Sequence, residues 1–205
     1  SRRRSPEEWI RELDAVAANG KKLIFAPYCE NTDWEYKVFH SHKEFTEEQK
    51  KHITELVAKV KGHPGLFGYY LADEPEGRED NPQWYSAVHK LISELDPYHP
   101  TIMLNYSIAG LKKYGTDADL LFPDPYPNYY TDGSTRHPVS EVGSLLGTAS
   151  RMKPFLSCLQ GFAWKSYEKN KIARAPDFVE LRNNFYQAVA CNTKGILYFT
   201  WEYWN

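Results

Sequence analysis

Apolar residues along this chain fall into two alternating patterns: short unbroken runs, and longer stretches in which they recur every three or four positions. The first is the pattern of a buried strand, the second that of a helix with one apolar face. Ser5-Pro6-Glu7-Glu8 opens the first helix, with an N-cap, a proline suited to the first turn and an acid placed to close a capping box. Ile10, Leu13 and Ala17 form its stripe, and Asn19-Gly20 stops it. Residues 22–27 read as a strand leaving at Tyr28, Cys29 and Glu30, and a polar loop with Trp34, Tyr36, His40 and His42 follows.

Thr46 with Gln49 predicts the next helix, which carries Ile53, Leu56, Val57 and Val60 on one face and ends at Gly62. Residues 65–72 then form an aromatic-rich apolar run that breaks off in Asp73-Glu74-Pro75. Asn81-Pro82 starts a helix with Trp84, Val88, Leu91, Ile92 and Leu95 inward, closed by Asp96-Pro97-Tyr98-His99-Pro100. Strands follow at 101–106, 119–123, 154–159 and 195–200, with a short helix near 109–114 and longer ones after Val142 and after Asp177. Asp177 and Glu180 stand in capping-box positions, and Phe178, Leu181, Phe185 and Val189 are expected to line that last helix's inner face.

Apolar strands separated by amphipathic helices predict parallel βαβ units with right-handed crossovers. Six strands are visible, and an open doubly wound sheet or most of an eight-stranded barrel fits that count. No Gly-rich phosphate turn follows any strand, which lowers the nucleotide-binding version.

With 205 residues and 41% hydrophobic content, one large domain over 1–205 is expected. A net charge of -2 calls for neither a nucleic acid nor a membrane surface. No apolar run is long enough to span a membrane and no signal peptide is visible. The beginning at Ser1-Arg2-Arg3-Arg4 and the stop at Asn205, directly after an apolar run, suggest a fragment, so the compartment and oligomeric state stay open. Cys29, Cys158 and Cys191 have an odd count and no metal-ligand spacing, and read as free thiols. The seven histidines show no zinc-helix spacing, so no metal or cofactor is expected. The aromatic content, 15 Tyr, 10 Phe and 6 Trp, is the unusual quantity: such side chains fill cores, yet their flat faces also stack on sugar rings.

Carboxylates stand at strand exits: Glu30, Asp73, Glu74, Asp124 and Glu202. In an α/β barrel the strand C-termini form one rim where chemistry is placed. His63-Pro64-Gly65, the Tyr69-to-Pro75 exit, Leu95-to-Pro100, Asp124-Pro125-Tyr126-Pro127, Leu159-Gln160-Gly161-Phe162 and the closing stretch from Gly195 to Trp204 resemble the (β/α)8-barrel glycoside hydrolases of clan A. The resemblance implies a partial barrel whose fourth strand is 65–72 and eighth is 195–200, with strands one and two upstream of Ser1 or absent. It also implies an oligosaccharide or other glycoside as substrate and, from that substrate class, a secreted or periplasmic setting.

Glycoside hydrolysis needs a protonated carboxyl and an ionised partner, about 5 Å apart for retention or about 6.5–9.5 Å for inversion. By motif position Glu74 takes the acid/base role, with Asp73 where the clan has Asn; Glu202 and Asp124 compete for the partner role. The seventh-strand exit departs from the pattern, because Gln160 is an amide that can neither attack as a carboxylate nor take up a proton. A sugar-binding barrel that does not cleave is therefore the alternative. Tyr28, Asp73, Asn105, Tyr106, Tyr126, Gln160, Trp164, Trp201 and Trp204 are the candidate sugar contacts.

Overall fold

The computed structural model describes residues 6–27, 44–166 and 168–200. Helices are α1 (Pro6–Ala18), α2 (Glu47–Val60), α3 (Pro82–Leu95), α4 (Ile108–Tyr114), α5 (Ser140–Met152) and α6 (Phe178–Ala190). Strands are β1 (Leu23–Phe25), β2 (Leu66–Ala72), β3 (Thr101–Asn105), β4 (Leu120–Pro123), β5 (Tyr129–Tyr130), β6 (Ser157–Gln160), β7 (Ala173–Arg174) and β8 (Ile196–Phe199). The hydrogen-bonded order of the larger sheet is β1-β2-β3-β4. The chain divides into two compact units, the first running to Met103 with Lys113–Asp119, the second holding Leu104–Lys112 and the described residues from Leu120 on.

In the first unit β1, β2 and β3 are parallel, in register at Leu23 with Leu66 and at Tyr69 with Thr101. Of the three helix starts predicted here, the Ser5 cap lies outside the described residues, and the other two form as expected: Thr46 and Gln49 exchange capping-box bonds at α2, and Asn81 caps α3 ahead of Pro82. The core is aromatic, with Trp9 against Phe25 at 4.8 Å, Trp84 against Tyr85 at 5.1 Å and Tyr85 against Tyr114 at 6.1 Å between ring centroids. Burying each such ring is worth about 1.5–3 kcal/mol, which makes this cluster the main support of the sheet. Gly68 is required inside β2 because a methyl there would run into the carbonyl of Pro100. His63 and His99 are structural: His63 Nδ1 accepts the Gly65 N–H at 3.0 Å, and His99 Nδ1 lies 2.8 Å from Asp96. Asp96 also takes the Tyr69 hydroxyl at 2.7 Å, so the Asp-Pro-Tyr-His-Pro stretch is tied to the middle of β2.

In the second unit β4 lies beside the end of β3, with the Asp124 N–H donating to the Asn105 carbonyl at 3.3 Å. Leu121 pairs in parallel with Phe155, and β6 pairs in parallel with β8 from Ser157–Ile196 to Gln160–Phe199. Leu121, Val142, Leu145, Leu146, Phe155 and Leu159 are the centre of this unit's core. The Asp177–Glu180 capping box is present at α6.

Three local expectations are corrected. Residues 154–156 pair with Leu121 through a single bridge at Phe155, so the continuous strand β6 runs from Ser157, and Gln160 is its last residue rather than part of the following loop. The loop after β4 and the loop after β6, neither of which shows a strand pattern in sequence, pair through the two-residue antiparallel strands β5 and β7, too short to produce a legible alternation. The inner face of α6 is also not the predicted one: Asn184 and Ala188 are buried, whereas Phe178 is 77% and Val189 49% exposed. The helix carries more than one apolar stripe, and only small side chains fit where it meets α5 and β6.

Candidate functional site

The exit of β2 is a tightly closed loop. Asp73 is exposed and its Oδ1 accepts the Tyr70 hydroxyl at 3.0 Å. Glu74 follows in the left-handed region (φ 45°, ψ 56°), and its side chain does not cap the 3-10 turn Pro75–Arg78 that it precedes. Glu79 at the other end of that turn is left-handed as well (φ 55°). For residues other than glycine each such conformation costs on the order of 1–3 kcal/mol and persists only where the surroundings impose it.

Asp80 bonds across this turn. This residue is 6% exposed. Its Oδ2 accepts from Arg78 Nε at 3.1 Å, from Arg78 Nη2 at 2.9 Å and from the Tyr85 hydroxyl at 2.7 Å. Burial, and then the bond to Asp80, push the Tyr85 phenol far above the usual tyrosine range. Burial pulls on the Arg78 guanidinium in the opposite direction, but Asp80 and Tyr85 outweigh it and hold Arg78 firmly charged. Sequence reading passed over Asp80 because one acid in a polar run before a helix looks like a solvated loop residue.

In the second unit the exits of β3, β4 and β6 bring another set of candidates together. Asn105 and Asp124 are both buried, at 0% and 3% exposure, and share the backbone bond between β3 and β4, whereas Tyr106 faces outward. Tyr126 places its hydroxyl 3.3 Å from the Cys158 sulfur. Its ring lies 5.4 Å from Phe162 and 5.9 Å from Trp164 between centroids, and Phe162 meets Phe199 at 5.3 Å. These side chains make a partly exposed aromatic wall, a surface suited to the apolar face of a sugar ring. Phe162 and Phe199 had been read as strand and exit residues only.

Gln160 is fully buried and both ends of its amide are used. Its Oε1 accepts the Asn128 N–H at 2.9 Å and its Nε2 donates to the Phe162 carbonyl at 3.0 Å. Asn128 is itself left-handed (φ 58°), and its Nδ2 donates to the Tyr126 carbonyl at 3.2 Å. The side chain therefore stitches the loop after β4 to the loop after β6. An amide suits this place and an ionised carboxylate does not, since one partner is a donor and the other an acceptor. Tyr28, Trp201, Glu202 and Trp204 lie outside the described residues. Among the described residues no helix is long and apolar enough to cross a membrane, and no group of acidic, His or Cys side chains could hold a metal ion. Cys158 is buried and Cys191 half-buried, both as free thiols.

No family model matches the chain. A curated L-amino-acid oxidase from Pseudechis australis is 24% identical over 190 residues, covering 92% of this chain and 34% of that protein, too distant to show a family. Solved structures point elsewhere. A Bacteroides thetaiotaomicron protein designated an alpha-L-fucosidase aligns with a TM-score of 0.68 and 11% identity, over 99% of this chain and 69% of that one. A beta-galactosidase from Halorubrum lacusprofundi aligns at 0.66 and 14% identity, over 95% and 45%. The beta-D-glucuronidase of Dictyoglomus thermophilum aligns at 0.58 and 18% identity, over 93% and 36%. The fold is therefore glycoside-hydrolase-like, and the chain spans about a third of the oxidase and of the glucuronidase.

Proposed function

We propose that this chain is a carbohydrate-active (β/α)8-barrel domain that hydrolyses an O-glycosidic bond, β-linked glycosides being the first to test. The observation that carries the proposal is that carboxylates, amides and aromatic rings follow directly on the ends of successive parallel strands, on a fold shared with glycosidases. Glu74 is the acid/base: its protonated carboxyl gives a proton to the departing glycosidic oxygen, while an ionised partner, Asp124 or Glu202, stabilises the oxocarbenium-like centre or activates water. Tyr126, Trp164, Trp201 and Trp204 offer ring faces, and Tyr28, Asp73, Asn105 and Tyr106 polar contacts for sugar hydroxyls. Gln160 acts through the loops it joins.

Turnover of a panel of aryl glycosides tests the proposal. Wild-type hydrolysis that Glu74→Gln abolishes while the fold persists supports it, and unchanged turnover in the variant removes the assignment. A second reading, sugar binding without cleavage, is favoured by one observation, the committed amide of Gln160 where the clan has its nucleophile. Calorimetric sugar binding with no turnover across the panel selects it.

A further inference from the structure

We propose that Asp80 is the positioning residue for Glu74, a buried carboxylate whose task is to hold the backbone that presents the acid/base; the inference rests on the catalytic reading of Glu74. Asp80 is six residues beyond Glu74 and grips the loop at both ends. Its N–H donates to the carbonyl of Pro75, the residue immediately after Glu74, at 3.2 Å. Its own carbonyl accepts the Tyr114 hydroxyl at 2.7 Å, which fastens the far end of the loop to the aromatic core. Within the loop the Glu74 carbonyl accepts the Gly77 N–H at 3.1 Å, so the left-handed geometry of Glu74 belongs to the same closed system.

The Asp80 carboxylate is not explained by helix capping. Asn81 already caps α3, its side chain accepting the Gln83 N–H at 3.1 Å. A carboxylate at 6% exposure is retained only when well-made bonds offset its desolvation, and here Arg78 and Tyr85 converge on a single oxygen. Arg78 comes from the turn itself and Tyr85 from the first turns of α3, so the convergence locks the turn to a rigid helix. A displacement of the reacting group of about 1 Å costs on the order of a hundredfold in rate, so a brace of this kind has something to protect.

Two variants test the assignment. Asp80→Asn keeps an acceptor and removes the charge facing Arg78; Tyr85→Phe keeps the ring in the core and deletes one bond. On the best aryl glycoside, kcat is expected to fall on the order of tenfold in each with KM within about twofold, and neither is expected to lower kcat further in the Glu74→Gln background. Losses that add to that of Glu74→Gln, or a lower melting temperature with kcat intact, overturn the assignment. Should the wild-type chain cleave no glycoside, the proposed function falls by itself, and Asp80 is judged by the amide NMR signals of Glu74, Gly77 and Glu79. Their displacement in both variants supports the brace; unmoved signals end it.

Discussion

The ends of β2 and β6 look alike in sequence, each an apolar strand closing on polar side chains, and they fold into opposite arrangements. At β2 the polar residues emerge: Asp73 is exposed and Glu74 half-buried and left-handed, in a loop that Asp80 bonds at Pro75 and Arg78. At β6 the polar residue is drawn inward, and Gln160 spends both ends of its amide on backbone groups of two loops. A side chain that does chemistry needs its acceptor atoms available to substrate, whereas a buried polar side chain needs them satisfied by protein. The amide of Gln160 meets the latter condition, with both ends committed to backbone groups, and Glu74 as acid/base, as proposed, requires the former.

The largest effect that would break this contrast is on turnover. General acid–base assistance contributes about 10²–10⁴-fold, so Glu74→Gln is expected to lower kcat for an aryl glycoside on that order while the melting temperature moves little. Gln160→Glu tests the other exit. The carboxylate can still accept the Asn128 N–H but faces the Phe162 carbonyl with a lone pair where a donor stood. Leaving buried acceptors opposed is expected to cost about 2–3 kcal/mol, read by urea unfolding, with no gain in turnover. A stable variant that cleaves glycosides faster would show the β6 exit to be a nucleophile site and end the contrast.

The first unit was legible because its signals are local. Capping boxes, Asn81-Pro82 and unbroken apolar runs fix where helices and strands begin, and all six predicted strands form with shifted ends. What stayed hidden depends on tertiary partners. Nothing in Arg78-Glu79-Asp80-Asn81 announces that one of two adjacent acids will be buried, because Tyr85 and Tyr114 supply the reason from elsewhere. The amide of Gln160 was recognised as chemically unfit for a nucleophile, yet its structural use required Asn128 and Phe162 to be placed around it.

A smaller effect concerns the base of β2. Burial would raise the Asp96 carboxyl, but hydrogen bonds from Tyr69, His99 and the Tyr98 N–H together outweigh it and hold it below the usual range. A depressed folded-state pKa contributes stability above the unfolded value of about 3.9, and that contribution is lost as pH falls through the folded one. Asp96→Asn is therefore expected to cost about 1–3 kcal/mol at pH 6, with wild type and variant converging as pH falls through the lowered folded-state pKa of Asp96. Urea unfolding across that range checks it, and a constant difference would mean that the bonds do not depend on the charge.

The smallest effect separates the two faces of α6. Phe178 is 77% exposed at the first position of the helix, while Asn184 and Ala188 face the core of the second unit. Phe178→Glu removes apolar surface that already meets water and puts a negative charge where the helix dipole favours one, a gain of a few tenths of a kcal/mol. Stability is expected to stay within about 0.5 kcal/mol of wild type, as for a surface position away from caps and networks. A loss above about 1 kcal/mol in urea unfolding would mean that this face is covered in solution, and the apolar stripe of Phe178, Phe185 and Val189 would then count as core, as the helical spacing predicts.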